Sequence, residues 1–229
     1  SRELQESRPV RTVGVKICGL TREEDVRAAC EAGADFLGFV FYPKSKRYVE
    51  PQVVCKFIEL VREFTHAPIP VAVTVDVAFE QLIMLHKQTG IDWFQLHGKE
   101  PPELVERLKQ AGLRTIKAVF IGHTQVLPPW QPYNSDFFLC DTLDARQPGG
   151  TGRSWEIDWL PQDFPLHRTF LAGGLNCDNV AARLAKAHPF AVDISSGVEI
   201  APGIKDVEKI RRFVEIVRTA SVRLERQTQ

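Results

Sequence analysis

Val15-Lys-Ile-Cys-Gly-Leu-Thr-Arg-Glu-Glu24 is the stretch that decides the fold. The apolar run Val13–Ile17 ends in a cysteine and a glycine, and a helix start signal follows at once. Thr21 and Glu24 have the S/T-x-x-E spacing of a capping box, which predicts Thr21 as the N-cap of a helix. Cys18 is therefore expected at the carboxyl end of a strand, where the chain turns into a helix. In α/β proteins that edge is where ligands bind. A thiol there can serve as nucleophile, base, metal ligand or filler.

The same strand-then-helix pattern recurs along the chain. Runs bounded by turn residues and rich in β-branched or aromatic side chains predict eight strands. They are Val13–Cys18, Phe36–Phe41, Pro70–Val75, Trp93–Leu96, Arg114–Val119, Phe137–Asp141, Thr169–Ala172 and Ala191–Ile194. Helices are expected over Glu23–Ala32, stopped by Gly33, and Pro51–Phe64, with proline in the first turn. Phe79–Thr89, Pro102–Ala111, Asp178–His188 and Asp206–Arg226 complete the set. Pro128, Pro129 and Pro132 restrict any helix after the fifth strand. Only a short turn near Trp155–Leu160 follows the sixth. Eight βα units in 229 residues suggest a single-domain α/β protein, a (β/α)8 TIM barrel over residues 12–226. A doubly wound open sheet is the alternative, since alternation alone does not require closure.

Composition narrows the functional class. The chain is 44% hydrophobic and 25% charged, an ordinary globular balance. Its 29 basic and 29 acidic residues cancel, which argues against a general nucleic-acid or anionic-membrane binder. No run of about 18 apolar residues exists to span a bilayer. Residues 1–11 are polar, lack a signal-peptide core, and are expected to form a flexible tail. The five cysteines, Cys18, Cys30, Cys55, Cys140 and Cys177, form no C-x-x-C pair. They read as reduced cytoplasmic thiols, and no Cys/His set has zinc-ligand spacing.

Barrel chemistry belongs at the carboxyl ends of the strands. Those ends carry Cys18, the cationic loop Phe41–Tyr48 with Arg47, Thr74 and Asp76, Gln95 and His97, Lys117, Asp141, Gly173-Gly174, and Asp193 to Gly197. The last two loops suit an anion, because small residues let backbone N–H groups approach it and Ser196 adds a hydroxyl. Cys18 and Asp141 are acid–base candidates if the site shifts both from their ordinary pKa values of about 8.5 and 4. Strand alternation puts Lys16 on the face of Cys18, where it favours a thiolate, and Cys140 on the face opposite Asp141, where it packs. Arg47 suits a carboxylate through a bidentate fork. His97 is either a general base or a packing and hydrogen-bonding residue. Asp76 and Asp193 stay open between structural and ligand-binding roles. The glycines of Gly149–Gly152 suit a mobile flap or a long loop.

With these residues in place, the chain resembles the phosphoribosylanthranilate isomerases of tryptophan biosynthesis. The matching segments are Lys16-Ile-Cys-Gly19, Gly38-Phe-Val-Phe41 with Ser45-Lys-Arg47, Gln95-Leu-His-Gly98, and Asp141 with Gly149-Gly-Thr-Gly152. Ala172-Gly-Gly-Leu-Asn176 with Asn179-Val180, Asp193-Ile-Ser-Ser-Gly-Val-Glu199 and Pro202-Gly-Ile-Lys-Asp206 follow in family order. The resemblance implies an Amadori rearrangement of N-(5-phosphoribosyl)anthranilate to the 1-deoxyribulose aminoketose. It implies Asp141 as general acid and Cys18 as general base. It implies substrate contacts from Arg47, Gln95, His97, Gly173, Gly174, Asp193, Ser196 and Gly197. No metal or organic cofactor is implied, since the substrate provides its own electron sink. The implied partner is a phosphorylated aminosugar, with no nucleic acid and no membrane, bound by a monomer or homodimer. Lys46 stands where the family usually has proline, and Val73-Thr-Val-Asp76 departs from its third strand. Two alternatives remain. One is an isomerase of another phosphorylated aminoaldose, although such barrels use an aspartate where Cys18 stands. The other is a non-catalytic phospho-ligand binder.

Overall fold

The computed structural model describes residues 12–122, 127–143 and 155–227. The expected tail at 1–11 and the flap at Gly149–Gly152 lie outside the described residues. Eight strands form a closed barrel: β1 (Gly14–Cys18), β2 (Phe36–Val40), β3 (Ile69–Thr74), β4 (Trp93–Leu96), β5 (Arg114–Ile121), β6 (Phe137–Thr142), β7 (Thr169–Leu171) and β8 (Ala191–Ile194). Every neighbouring pair is parallel, and β8 closes on β1 with Lys16 opposite Asp193. The open doubly wound alternative is thereby excluded.

Helices α1 (Glu23–Ala32), α2 (Pro51–Val61), α3 (Phe79–Thr89), α4 (Pro102–Gln110), α5 (Val180–Lys186) and α6 (Val207–Gln227) cover the outside. α5 is shorter than expected at both ends. Asn176 Oδ1 accepts the N–H groups of Asp178 and Asn179, so a turn occupies the predicted first residues. At the other end Ala187 is extended, two residues before Pro189. The 3-10 turn Ile157–Trp159 is the short turn expected after the sixth strand, and a second, Leu166–Arg168, leads into β7. A small hairpin, β9 (Glu199–Ala201) with β10 (Ile204–Lys205), follows β8 and was not expected.

The capping-box expectation fails. Arg22, not Thr21, is the N-cap of α1, and no side chain caps it. Thr21 Oγ1 instead donates to the carbonyl of Gly203, at 2.5 Å, and so ties the β1–α1 turn to the hairpin. Arg22 closes over the buried Asp25, whose carboxylate also accepts the N–H of Lys205.

Strand alternation divides the core in two. Outward residues such as Val15, Ile17, Leu37, Phe39, Phe94 and Phe138 pack beneath the helices. Both faces of the parallel strands are therefore buried. The inward residues are stratified along the barrel axis. Phe36, Trp93, Phe137, Phe170 and Phe190 meet at the amino ends of their strands, with ring centroids 4.6–6.0 Å apart. This aromatic plug closes one end of the barrel, and the polar inward residues Lys16, Gln95, Asp141 and Asp193 lie above it. Truncating the plug tests it: Phe170→Ala should cost about 3–5 kcal/mol of unfolding free energy in urea titration. A loss below about 1 kcal/mol would contradict its load.

Candidate active site

At the carboxyl end of β1 the inward residues are Lys16 and Cys18. The Lys16 side chain is wholly buried, a position that demands full pairing of its ammonium. Nζ donates to Asp193 Oδ1 at 2.6 Å and to Gln95 Oε1 at 2.7 Å, and its charge acts on the Cys18 thiol. Burial works against the charge on Lys16, but Asp193 and Cys18 outweigh it and raise its pKa. For Cys18 the balance falls the other way. Burial raises the thiol above its ordinary value, while Lys16 and Lys205 pull it down and Asp193 adds to the rise. Lys16 thus opposes the loss of the thiolate, as expected from alternation, but burial wins. Space for the sulfur comes from Gly38 on β2, where an added Cβ would sit 2.5 Å from Cys18 Sγ.

Across the barrel mouth, β6 presents Asp141. Burial raises its carboxyl to about 6, opposed by the Thr142 N–H that donates to Oδ1 at 2.7 Å and by Lys16 at longer range. His97, just beyond β4, places Nε2 3.6 Å from Asp141 Oδ2. Its Nδ1 is 2.8 Å from Gln95 Nε2, and its ring stands edge-on to Phe120. Burial, with the charge of Lys16 behind it, lowers His97 to about 4. The ring is therefore neutral at neutral pH. Cys140, on the other face of β6, is fully buried and its thiol is pushed up by burial, as a packing residue.

Arg47 departs from expectation. Its fork is already engaged: Nε donates to Glu199 Oε2 at 2.9 Å and Nη2 to Oε1 at 2.5 Å. Among the described residues Nη1 makes no hydrogen bond, so the end-on edge of the guanidinium remains for a ligand carboxylate. The aliphatic stem runs over Gly19, where a Cβ would lie 2.5 Å from Arg47 Cδ. Glu199 also accepts from Lys205 Nζ at 3.1 Å and from the Gly203 N–H at 3.0 Å. Burial tends to raise this carboxyl, but Arg47, Lys205 and Gly203 together hold it below the usual range. Lys205 in turn caps the end of β1, donating to the Cys18 carbonyl at 2.6 Å and the Ser195 carbonyl at 3.1 Å. Lys46 is exposed on the same loop.

The two small-residue loops meet. Gly173 and Gly174 follow β7 with positive φ, 96° and 68°, which L side chains rarely adopt. Gly197 lies in the 3-10 turn Ser196–Val198 after β8, and a Cβ there would strike the Leu175 carbonyl at 2.0 Å. Ser196 is exposed beside it. Asp76 and Lys117 serve the framework instead. Asp76 accepts the Lys99 N–H, while Lys117 pairs with buried Glu100 at 2.9 Å. Asp193 has a protein partner too, Lys16, and both ends of the Gln95 amide are engaged.

Glu199, Lys205 and Gly38 were missed as site residues. A glycine inside a strand run signals close approach, and that was the available clue for Gly38. Glu199 and Lys205 sit on opposite arms of the hairpin, a pairing that no helix or strand period reveals.

A family model described as N-(5'phosphoribosyl)anthranilate (PRA) isomerase matches residues 15–216. The chain belongs to the phosphoribosylanthranilate isomerase family. It is 39% identical over 210 residues to the N-(5'-phosphoribosyl)anthranilate isomerase of Pelobacter propionicus, covering 90% of this chain and 96% of that one. Among solved structures it is similar to the phosphoribosyl anthranilate isomerase of Thermus thermophilus, with TM-score 0.77 and 34% identity over 90% of this chain and 99% of that one. It is also similar to a family member solved with reduced 1-(o-carboxyphenylamino)-1-deoxyribulose 5-phosphate, with TM-score 0.70 and 32% identity over the same shares of the two chains.

The family's barrel here carries a buried charge network whose weight can be measured. Glu199→Ala leaves Lys205 buried and Arg47 without its partner. It should lower unfolding free energy by about 3–5 kcal/mol, the usual effect of breaking a buried ion pair. A loss under about 1 kcal/mol would show that the cluster is hydrated and not a structural brace.

Proposed function

We propose that the chain catalyses the Amadori rearrangement of N-(5'-phosphoribosyl)anthranilate to 1-(2-carboxyphenylamino)-1-deoxyribulose 5-phosphate, a step of tryptophan biosynthesis. Asp141 is the general acid and Cys18 the general base. The observation that carries this reading is the pairing of a carboxyl raised to about 6 with a lysine-flanked thiol on opposite sides of one barrel mouth. Family membership supports it independently.

The carboxyl of Asp141 gives its proton to the furanose ring oxygen. The bond from that oxygen to carbon 1 breaks, and the nitrogen lone pair forms the iminium. The thiolate of Cys18 then takes the proton from carbon 2. The C–H electrons become the carbon 1–carbon 2 double bond, and the iminium electrons return to nitrogen. The resulting enolamine tautomerises to the ketone. An iminium next to carbon 2 acidifies that C–H, so a base of moderate strength suffices.

The free edge of Arg47 takes the anthranilate carboxylate, and the loops holding Gly173, Gly174, Ser196 and Gly197 take the phosphate. Fixing both ends aligns the reacting carbons between the acid and the base. His97, Gln95 and Asp193, expected to contact the substrate, also hold the acid and the base from within the protein.

Placed proton-transfer groups are typically worth about 10²–10⁴-fold in rate. Cys18→Ala and Asp141→Asn should each lower kcat by about that factor, with far-UV circular dichroism unchanged. The assay is the loss of anthranilate-adduct fluorescence. Turnover within about threefold of wild type in either variant would overturn its assignment.

A further inference from the structure

We propose that Gln95 is a positioning residue that fixes the tautomer of His97, so that His97 directs an N–H at Asp141. The inference rests on Asp141 being the general acid and extends that reading to the residues behind it.

Donors and acceptors along the string leave one arrangement. Lys16 is a donor only, and its ammonium meets Gln95 at 2.7 Å. The atom facing it must therefore be the amide oxygen, which turns the Gln95 NH2 toward His97. That NH2 is itself only a donor. His97 Nδ1, 2.8 Å away, must accept from it and carries no proton. In a neutral imidazole the proton then resides on Nε2, the nitrogen that faces Asp141 Oδ2 at 3.6 Å.

This removes one candidate role and supplies another. His97 has no free lone pair at neutral pH, since Nδ1 is engaged and Nε2 is protonated. It is therefore not a general base. Its Nε2–H faces the carboxyl oxygen on which negative charge develops as Asp141 gives up its proton. A modest closing of the 3.6 Å gap in the substrate complex makes this a charge-assisted hydrogen bond. The donor is oriented before the reaction begins, as electrostatic stabilisation requires. The chain of orientation starts at Lys16, whose charge also acts on the thiol of Cys18. One buried ammonium thus orders groups on both sides of the reaction.

The test is the protonation pattern of His97 by two-bond 15N–1H correlation NMR of the whole protein. The His97 signals are identified among the six histidines by their absence in His97→Asn. At pH 7 the wild type should show a protonated Nε2 and an unprotonated Nδ1. Gln95→Glu keeps the shape and the contact to Lys16, but presents an acceptor to Nδ1. It should place a proton on Nδ1 and lower kcat about tenfold, with KM changed less than about twofold. A wild-type His97 protonated on Nδ1 overturns the proposal without recourse to any variant. So does a Gln95→Glu protein whose Nδ1 stays bare or whose kcat equals wild type. Failure of the acid assignment itself would appear elsewhere, as undiminished turnover in Asp141→Asn.

Discussion

Everything at the mouth of this barrel depends on the Lys16 ammonium. It sits in a wholly buried side chain, and a charge so placed persists only if protein groups replace its hydration. The ammonium donates to two partners, Asp193 on β8 and Gln95 on β4, and its charge acts on Cys18 of its own strand. The two hydrogen bonds fix Asp193 and Gln95 relative to one another across the barrel. The aromatic plug below it closes the lower half of the barrel with apolar rings. Polarity is thereby confined to the upper half, where the strands end and their loops begin.

The electrostatics of the site are a contest between burial and this cation. Burial raises both Cys18 and Asp141 above their ordinary values, which suits the proposed acid and hinders the proposed base. Lys16 and Lys205 offset part of the penalty on the thiol. Lys205 is held by Glu199, and Glu199 holds Arg47. The proposed carboxylate site at Arg47 and the support of the β1 end therefore share one ion cluster. In this account a ligand anion at Arg47 is felt by the same network that braces the backbone of Cys18.

Much of the architecture was legible because strand periodicity and turn chemistry are local. Trp93–Leu96, Ala191–Ile194, Glu23–Ala32 and Phe79–Thr89 have the bounds that their residues suggested. The alternation that put Lys16 beside Cys18 and turned Cys140 outward also held. What failed was tertiary in origin. Thr21 has capping-box spacing, but its hydroxyl is taken by a carbonyl 182 residues away. Arg47 reads as a free fork because Glu199, 152 residues on, is invisible from the loop sequence. The engagement of Gln95 by both Lys16 and His97 depends on barrel closure, which brings β1 and β4 within reach through the interior. Closure itself had to be observed, since an open sheet alternates in the same way.

The most direct test of the central claim is the pH dependence of kcat/KM. The proposed mechanism requires an active form with Asp141 protonated and Cys18 ionised, the reverse of the dominant form near neutrality. Below about pH 6 the acid is saturated and the thiolate declines with falling pH, so the rate falls. Above that point the loss of protonated acid is offset by the gain of thiolate. The profile should therefore rise to about pH 6, run level, and fall only where the thiol itself titrates, above its ordinary value. A steady decline from pH 6 to 8 would contradict the account, because it would mean that the acid acts without a thiolate partner.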